Sequence, residues 1–217
     1  MTLAIFDLDN TLLRGDSDHA WGEFLVGKGL VNSKVYRERN DYFYQQYQLG
    51  KLDVVAYQTF VLAEIKSRSP EEIFGLRAQF MAEVIEPMVL SQAEALVNHH
   101  RDQGHTLMII TATNDFITRP IATRFGIEHL IATEAELKDG LYTGNIVGTP
   151  SYQGGKIERL NDWLKTRDHT LSGAWFYSDS HNDLPLLKCV DNPVAVDPDD
   201  QLKQFATQQQ WPIMSLR

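Results

Sequence analysis

Two aspartates near the N-terminus, Asp7 and Asp9, are separated by a single residue and follow the apolar run TLAIF, residues 2–6. A continuous apolar run of this length is typical of a strand that is covered on both faces in a parallel sheet. Burying an ionised carboxylate costs several kcal/mol or more unless it has a partner. The pair therefore predicts a cation, a shared proton or water at the end of the first strand.

Further polar residues lie near the ends of later predicted strands and at the start of one predicted helix. They are Thr111 in IITATN, Lys156 in QGGKIERL, and Asp179 and Asp183 in YSDSHNDLP. Taken singly, each has an ordinary structural role as a helix cap, a turn residue, a partner of backbone groups or a solvated helix residue. Together with Thr11 and the first acidic pair they indicate one site, because parallel strands end at a common edge.

This set of side chains fits phosphoryl transfer through an aspartyl phosphate. Mg²⁺ prefers carboxylate and carbonyl oxygens, so Asp7, Asp179 and a backbone carbonyl near Asp9 form a predicted metal site. The cation offsets the charge of an incoming phosphate and allows a carboxylate to attack it. Lys156 and Thr111 are predicted to bind the phosphoryl oxygens, where negative charge develops.

The order of the predicted elements indicates an α/β fold with a doubly wound, Rossmann-like parallel sheet. Buried strands are predicted at 2–6, 105–111, 129–133, 173–179 and 192–197, and helices at about 115–125, 155–165 and 182–190. The segment LKDGLYTGNIVG predicts a hairpin whose turn is formed by Asp139 and Gly140.

A segment of about 70 residues after the first strand interrupts this alternation, since it carries helical spacing and no buried strand. One predicted helical face carries Tyr36, Asn40, Phe43 and Tyr47. We expect a catalytic core of residues 1–14 and 87–217, with residues 15–86, the helical insertion, forming a small all-helical cap. Ligands bind beyond the carboxyl ends of the strands in such sheets, so an insertion directly after Asp9 would enclose a substrate there.

The motifs DLDNT, IITAT, Lys156 and SDSHNDLP resemble, in this order, the four motifs of the haloacid dehalogenase-like hydrolase superfamily. The helical insertion is similar to the cap of its phosphoserine-phosphatase-like branch, subfamily IB. The resemblance implies that Asp7 is the nucleophile and that Asp9 protonates the leaving alkoxide and then activates water. It also implies that Asp7, the Asp9 carbonyl and Asp179 ligate Mg²⁺, with Asp183 supporting this site.

The residues around these motifs bear on the substrate. Phosphoserine phosphatases typically carry a glutamate after the first motif, an arginine in the cap and a Ser-Gly-Gly second motif. This chain has Asp16 near the first position, only Arg37 and Arg39 as ambiguous candidates for the arginine, and TAT at residues 111–113. It more closely resembles a bacterial group in the same branch that includes histidinol-phosphate phosphatases of histidine biosynthesis.

Histidinol phosphate carries an ammonium and an imidazole but no carboxylate. Asp16 and Asp18 are therefore predicted to meet the positive end of a cationic phosphate ester, or else to cap the first helix of the insertion. Three other functions stay open: hydrolysis of phosphoserine or another small metabolite, phosphoryl transfer to an alcohol as in a phosphotransferase or mutase, and a phospho-accepting signalling domain.

Composition limits the partners of the chain. The formal net charge of −9 over 217 residues and the absence of a basic run argue against nucleic-acid binding. No apolar run approaches the length of a membrane span, and no leader precedes the first strand, so we expect a cytoplasmic protein that acts on a small-molecule phosphate monoester. Cys189 is the single cysteine, which excludes an internal disulfide. His99 and His100 are predicted to lie on the surface of a helix, and with His105 they lack the spacing of a zinc site.

Overall fold

The computed structural model describes residues 2–217, so Met1 of the predicted core segment lies outside the described residues. Its strands are β1 (Leu3–Phe6), β2 (Thr106–Asn114), β3 (His129–Lys138), β4 (Leu141–Val147), β5 (Trp175–Ser178), β6 (Asn192–Val196) and β7 (Ile213–Met214). Between β1 and β2 lie the helices α1 (Ser17–Gly27), α2 (Ser33–Gln48), α3 (Val54–Lys66), α4 (Pro70–Phe80), a π-helical turn (Met81–Ile85), α5 (Glu86–Met88) and α6 (Ser91–Asp102). The later helices are α7 (Asp115–Arg124), α8 (Gly154–Lys165), a 3₁₀ turn (His181–Asp183), α9 (Leu184–Leu187) and α10 (Asp200–Gln209).

The seven strands form one sheet in the order β4-β3-β2-β1-β5-β6-β7. Every neighbouring pair is parallel except β3 and β4, which form the predicted antiparallel hairpin. The chain runs outward from β1 in one direction through β2 and β3, and then in the other through β5 and β6. The carboxyl end of β1 is therefore the point where the strand order reverses, which is where ligands bind in open α/β sheets.

Side chains that alternate along β1 contribute to two hydrophobic clusters, one on each face of the sheet. Ala4 and Phe6 pack with residues of α6 and α7, whereas Leu3 and Ile5 pack with residues of α8, α9 and α10. All four β1 residues are fully buried, and burying a side chain as large as Leu, Ile or Phe contributes about 1.5–3 kcal/mol. Helices on both faces of a mostly parallel sheet confirm the predicted doubly wound α/β class.

The helical insertion leaves and rejoins the sheet domain at neighbouring points. Leu13 forms an antiparallel bridge with Val89, and the Arg14 N–H donates to the Met88 carbonyl at 2.7 Å. Between these points the chain forms helices and no strand. We propose on this basis that residues 15–86 form the cap and that residues 1–14 and 87–217 form the core.

Aromatic side chains join the insertion to the sheet domain. Trp21 of α1 is fully buried and packs edge-on against Phe80 and Phe116, with ring centroids 5.2 and 5.7 Å apart. Within the insertion, the predicted face of α2 is buried at Tyr36, Asn40 and Phe43 and half-buried at Tyr47. The first hydrophobic cluster thus extends from β1 into the insertion, which gives α1 a fixed position above the sheet edge.

The predicted surface location of His100 is wrong. This side chain is 2% exposed, and its Nε2 lies 2.8 Å from the Tyr177 hydroxyl and its Nδ1 2.8 Å from Nδ1 of His105. Burial, with smaller contributions from His105 and His99, lowers the pKa of His100 to about 4. The helical pattern of α6 does not distinguish a polar face from one that meets a buried tyrosine of the sheet.

Across residues 2–217, no helix combines the length and apolar character needed to span a membrane.

Candidate active site

Asp7 is fixed at the point where β1 ends. Its N–H donates to the Tyr177 carbonyl of β5 at 2.9 Å, which continues the sheet by one residue. The chain then turns sharply, with the N–H groups of Leu12 and Leu13 donating to the Leu8 carbonyl. This turn directs the Thr11 hydroxyl to the carboxylate of Asp179, at 3.1 Å.

Thr11 in turn accepts a hydrogen bond from the Asp179 N–H at 3.1 Å, so the loops after β1 and β5 hold each other. Asp7 is 4% exposed, and Thr11 is fully buried. Two strands that are neighbours in the sheet, with separate positions in the sequence, thus place the carboxylates of Asp7 and Asp179 beside one another.

Lys156 lies between two carboxylates. Its Nζ is 2.8 Å from Asp7 Oδ1 and 2.7 Å from Asp183 Oδ1, and all three side chains are at most 5% exposed. The Ser178 hydroxyl also donates to Asp183, at 2.7 Å. Gly155 allows the start of α8 to lie close to the preceding loop. A Cβ at this position would lie only 2.1 Å from the Pro150 carbonyl oxygen.

The charges around Lys156 are unbalanced. Burial alone would lower the pKa of Lys156, but its two carboxylate partners raise it above the ordinary value for lysine. Burial and the neighbouring Asp183 raise the pKa of Asp7, and burial together with Asp7 and Asp183 raises the pKa of Asp179 well above its ordinary value. Lys156 thus pairs with two of three neighbouring carboxylates, and the third, Asp179, is hydrogen-bonded to Thr11 instead.

Asp9 is held by both of its carboxylate oxygens. The Ser17 N–H, in the first turn of α1, donates to Oδ1 at 2.7 Å, and the Thr113 hydroxyl donates to Oδ2 at 2.8 Å. Burial, followed by repulsion from Asp16, raises the pKa of Asp9 to about 7, although the two hydrogen bonds act to lower it. A carboxyl group with a pKa near neutrality is able to give and to take a proton, as acid–base catalysis requires.

Thr111 is 1% exposed and lies near the end of β2. Its hydroxyl oxygen accepts a hydrogen bond from the Thr113 N–H at 3.2 Å. Because that oxygen acts as the acceptor, the hydroxyl proton remains for another group. Thr111 lines the same cavity as Asp7 and Asp9, so a phosphoryl oxygen in that cavity could receive it.

The cavity lies between the sheet edge and the helical insertion and is partly open to solvent. Its carboxylates are Asp7, Asp9, Asp16 and Asp18, and its aromatic side chains are Phe43, Tyr44, Tyr47 and Tyr57. Among the described residues that line it, none is lysine or arginine. The space next to the two catalytic candidates is therefore acidic and aromatic.

Asp16 and Asp18 have different surroundings. Asp16 caps α1 by accepting a hydrogen bond from the His19 N–H at 2.8 Å, and it also lines the cavity. Asp18 is 3% exposed and accepts hydrogen bonds from the Gln58 amide at 3.0 Å and the Asn114 amide at 3.4 Å. Asp16 therefore caps α1 and also faces the cavity, whereas Asp18 joins the insertion to the end of β2.

The sequence did not predict a place in the site for six residues: Thr113, Gln58, Asn114, Tyr44, Tyr47 and Tyr57. Thr113 had the clearest signal, because it lies two residues after Thr111 near the same strand end. Gln58 and the tyrosines belong to helices whose orientation over the sheet edge has no local sequence signal. All the predicted site residues named above, from both parts of the chain, lie at or beside this edge.

Comparison with known proteins places the chain in a family. A family model described as haloacid dehalogenase-like hydrolase matches residues 4–188. The chain belongs to the haloacid dehalogenase-like hydrolase family. This confirms the membership that the four motifs predicted.

Relatives of this hydrolase carry phosphatase names. A histidinol-phosphatase from Neisseria meningitidis serogroup C is 46% identical over 219 residues, which cover 99% of this chain and 99% of that protein. A phosphoserine phosphatase from Mycobacterium tuberculosis is 33% identical over 220 residues, covering 99% of this chain and 70% of that protein.

Solved structures share the fold. A Bordetella pertussis protein of unknown function matches with a TM-score of 0.93 and 41% identity, covering all of both chains. A substrate-bound phosphoserine phosphatase matches with a TM-score of 0.72 and 18% identity, covering 100% of this chain and 93% of that one. The second match supports the fold alone.

The oxygen donors of this hydrolase fit a hard divalent cation. Asp7 and Asp179 lie side by side with one unit of positive charge nearby, and the Asp9 carbonyl belongs to the same loop as Asp7. Among residues 2–217, no three side chains of His, Cys, Asp or Glu form a ligating cluster by themselves. A cation here would therefore be bound by two carboxylates, a backbone carbonyl and water, which suits Mg²⁺ because it keeps several waters.

Removing the ammonium group should destabilise the hydrolase. Lys156→Met leaves two buried carboxylates without their partner, which costs about 3–5 kcal/mol in comparable buried pairs. We expect the free energy of unfolding, measured by urea denaturation with EDTA at pH 8, to fall by about this amount. The loss should shrink at pH 5, because protonation of the Asp7 carboxyl then removes its unpaired charge.

The matched control is Lys165→Met, since Lys165 is an exposed lysine paired with Asp162 on the surface of α8. Exposed pairs of this kind contribute little to stability. Equal losses for the two variants, or a loss at Lys156 that does not depend on pH, would contradict the buried-charge account.

Proposed function

We propose that this hydrolase is a magnesium-dependent phosphomonoester hydrolase that converts L-histidinol phosphate to L-histidinol and phosphate. The observation that carries the proposal is the lining of the cavity, in which Asp7, Asp9 and Thr111 lie beside further acidic and aromatic side chains. The 46% identical relative named as a histidinol-phosphatase supports the same substrate.

The phosphate end of the site accounts for the reaction. Lys156 donates to Oδ1 of Asp7 at 2.8 Å, which orients the carboxylate, and Oδ2, which the Thr11 hydroxyl approaches only at 3.5 Å, is the proposed attacking oxygen. Lys156 and the hydroxyl of Thr111 are the proposed donors to the phosphoryl oxygens. Mg²⁺, when bound by Asp7, Asp179 and the Asp9 carbonyl, supplies positive charge that offsets the repulsion between a carboxylate and a phosphate dianion.

Proton transfer is assigned to Asp9. As Asp7 Oδ2 bonds to phosphorus, the bond from phosphorus to the ester oxygen breaks, and the leaving oxygen takes a proton from Asp9. Water then gives a proton to Asp9 while its oxygen bonds to phosphorus. The bond between phosphorus and Asp7 breaks, which releases inorganic phosphate and restores both carboxyl groups.

The remainder of the cavity accounts for the choice of alcohol. Histidinol phosphate places an ammonium and an imidazole beside the phosphate ester. Asp16, which lines the cavity, is the proposed partner of that positive end, and Asp18, held by its amide partners, lines the same cavity. The rings of Tyr44 and Tyr57 are suited to cations and flat aromatic groups.

A phosphoserine carboxylate would lack a partner in this cavity. Arg37 pairs with Glu23 at 3.0 Å on the surface of the insertion. The Arg39 guanidinium stacks on the Phe60 ring at 5.1 Å and lines a different groove, between α2 and α3. Both sequence candidates for a carboxylate clamp are thus engaged elsewhere, and the carboxylate would face aspartates instead.

Measurements of substrate preference must also distinguish two alternative functions. Phosphoserine hydrolysis is included because a 33% identical relative is named as a phosphoserine phosphatase. Transfer to an alcohol other than water uses the same aspartyl phosphate and differs only in the acceptor. Membership of a hydrolase family argues against a phospho-accepting signalling domain.

The substrate proposal predicts a clear preference among phosphate esters. We expect kcat/KM for histidinol phosphate to exceed that for phosphoserine and for sugar phosphates by at least about 100-fold. A site built for one set of charged groups leaves them unpaired when the wrong ester binds. The measurement is Mg²⁺-dependent phosphate release, with Asp7→Asn as the inactive control.

Each other outcome has a definite meaning. Similar activity on every ester would retain the hydrolase chemistry and reject histidinol phosphate as the substrate. A preference for phosphoserine would reject the argument from the arginines. Preferential phosphorylation of an added alcohol would favour the phosphotransferase alternative.

The metal proposal predicts a gain in stability that does not depend on turnover. A ligand at about 100 times its dissociation constant stabilises the folded state by about 2.7 kcal/mol. For a chain of this size we expect saturating Mg²⁺ to raise Tm by about 5–10 °C. Asp179→Asn should abolish most of this shift, because it removes one of the two proposed carboxylate ligands.

Asp162→Asn is the matched control, as it removes the same charge from an exposed position on α8. It should show the full Mg²⁺ shift. A shift in Asp179→Asn that equals the wild-type shift would place the metal elsewhere.

A further inference from the structure

Thr113 contacts two of the proposed functional groups at once. Its hydroxyl donates to Asp9 Oδ2 at 2.8 Å, and its N–H donates to the hydroxyl oxygen of Thr111 at 3.2 Å. We propose that Thr113 is a positioning residue that sets the orientation of the acid–base carboxyl of Asp9 relative to the phosphate-binding hydroxyl of Thr111. The inference rests on the proposed phosphomonoester hydrolysis and holds for any alkyl ester that the enzyme accepts.

The location of Thr113 suits this role. It is 5% exposed, lies near the end of β2, the strand between β1 and β3, and lines the cavity together with Thr111 and Asp9. The strand is anchored here by a further bond, from the Thr133 hydroxyl to the Ala112 carbonyl at 2.8 Å. A hydroxyl on a fixed strand is a rigid reference point for a carboxylate on the loop after β1.

The two hydrogen-bond partners of Asp9 contact different carboxylate oxygens. Ser17 reaches Oδ1 through a main-chain N–H, which can only donate, so Oδ1 serves as an acceptor. The proton that Asp9 gives and takes is then carried on Oδ2, the oxygen that Thr113 contacts. The Thr113 hydroxyl donates to one lone pair of Oδ2, which leaves the other lone pair to carry the proton that passes to the leaving oxygen.

Two hydrogen bonds from different parts of the chain align the carboxyl group of Asp9. The Ser17 bond comes from the first turn of α1 in the insertion, and the Thr113 bond comes from the sheet. Without the hydrogen bond from Thr113, the Asp9 carboxyl group is held only by the Ser17 N–H and is free to rotate. Misplacing a catalytic group by a small distance lowers the rate of the step that uses it.

The test is a comparison of two esters that differ in their need for a proton donor. An alkyl phosphate releases a strongly basic alkoxide and needs acid catalysis, whereas p-nitrophenyl phosphate releases a weakly basic phenolate and does not. The alkyl ester is the best substrate found in the phosphate-release panel. The measured quantity is the ratio of kcat/KM for the alkyl ester to kcat/KM for the aryl ester, because kcat/KM reports only the steps through departure of the alcohol.

Thr113→Val keeps the shape and branching of the side chain and removes only the hydroxyl. We expect it to lower this ratio by at least about tenfold, a part of the roughly 10²–10⁴-fold that a positioned acid contributes. Thr113→Ser, which restores a hydroxyl, should return most of the ratio. Thr118→Val is the control, because the buried Thr118 hydroxyl donates to the Asn114 carbonyl instead, and its loss should leave the ratio unchanged.

The outcomes separate the positioning role from a structural one. If Thr113→Val lowers kcat/KM for both esters equally, or for neither, the proposed role is wrong. A loss of ratio that Thr113→Ser does not restore also overturns it. Wild-type enzyme that releases no phosphate from either ester would reject the proposed function itself, and the role of Thr113 with it.

Discussion

Lys156 pairs with two buried carboxylates, Asp7 and Asp183, and the half-buried carboxylate of Asp179 lies beside them. Charges cannot be buried in this way without partners, so much of the surrounding structure serves to pair or to separate them. Ser178 donates to one carboxylate and Thr11 to another. The negative charge that remains is the physical reason to place a divalent cation at this edge of the sheet.

The sheet domain and the helical insertion contribute different groups to the site. The sheet domain supplies the groups that are proposed to face phosphate. The helical insertion supplies aspartates and aromatic rings, and it carries Ser17, whose N–H holds Asp9. A substrate that fills the cavity therefore meets both parts, and Asp9 lies where they join.

The core of the site could be predicted from the sequence because each of its residues follows a recognisable strand or begins a helix. Asp7, Thr111, Lys156 and Asp179 lie at ends of elements whose apolar patterns are clear, and a doubly wound sheet places such ends together. The insertion was predicted to be helical, but helical periodicity gives no information on how a helix is oriented against a sheet. For that reason the partners of Asp18, the burial of His100 and the aromatic lining of the cavity became evident only in three dimensions.

The central claim is that Asp7 carries the phosphoryl group between two half-reactions. The most direct test is to quench wild-type enzyme with acid during turnover, reduce the acyl phosphate with borohydride, and analyse the peptides by mass spectrometry. The account predicts that a substrate-dependent fraction of Asp7 is converted to homoserine and that Asp9 and Asp179 are unchanged. Steady phosphate release without modification of Asp7, or modification of another carboxylate, would contradict it.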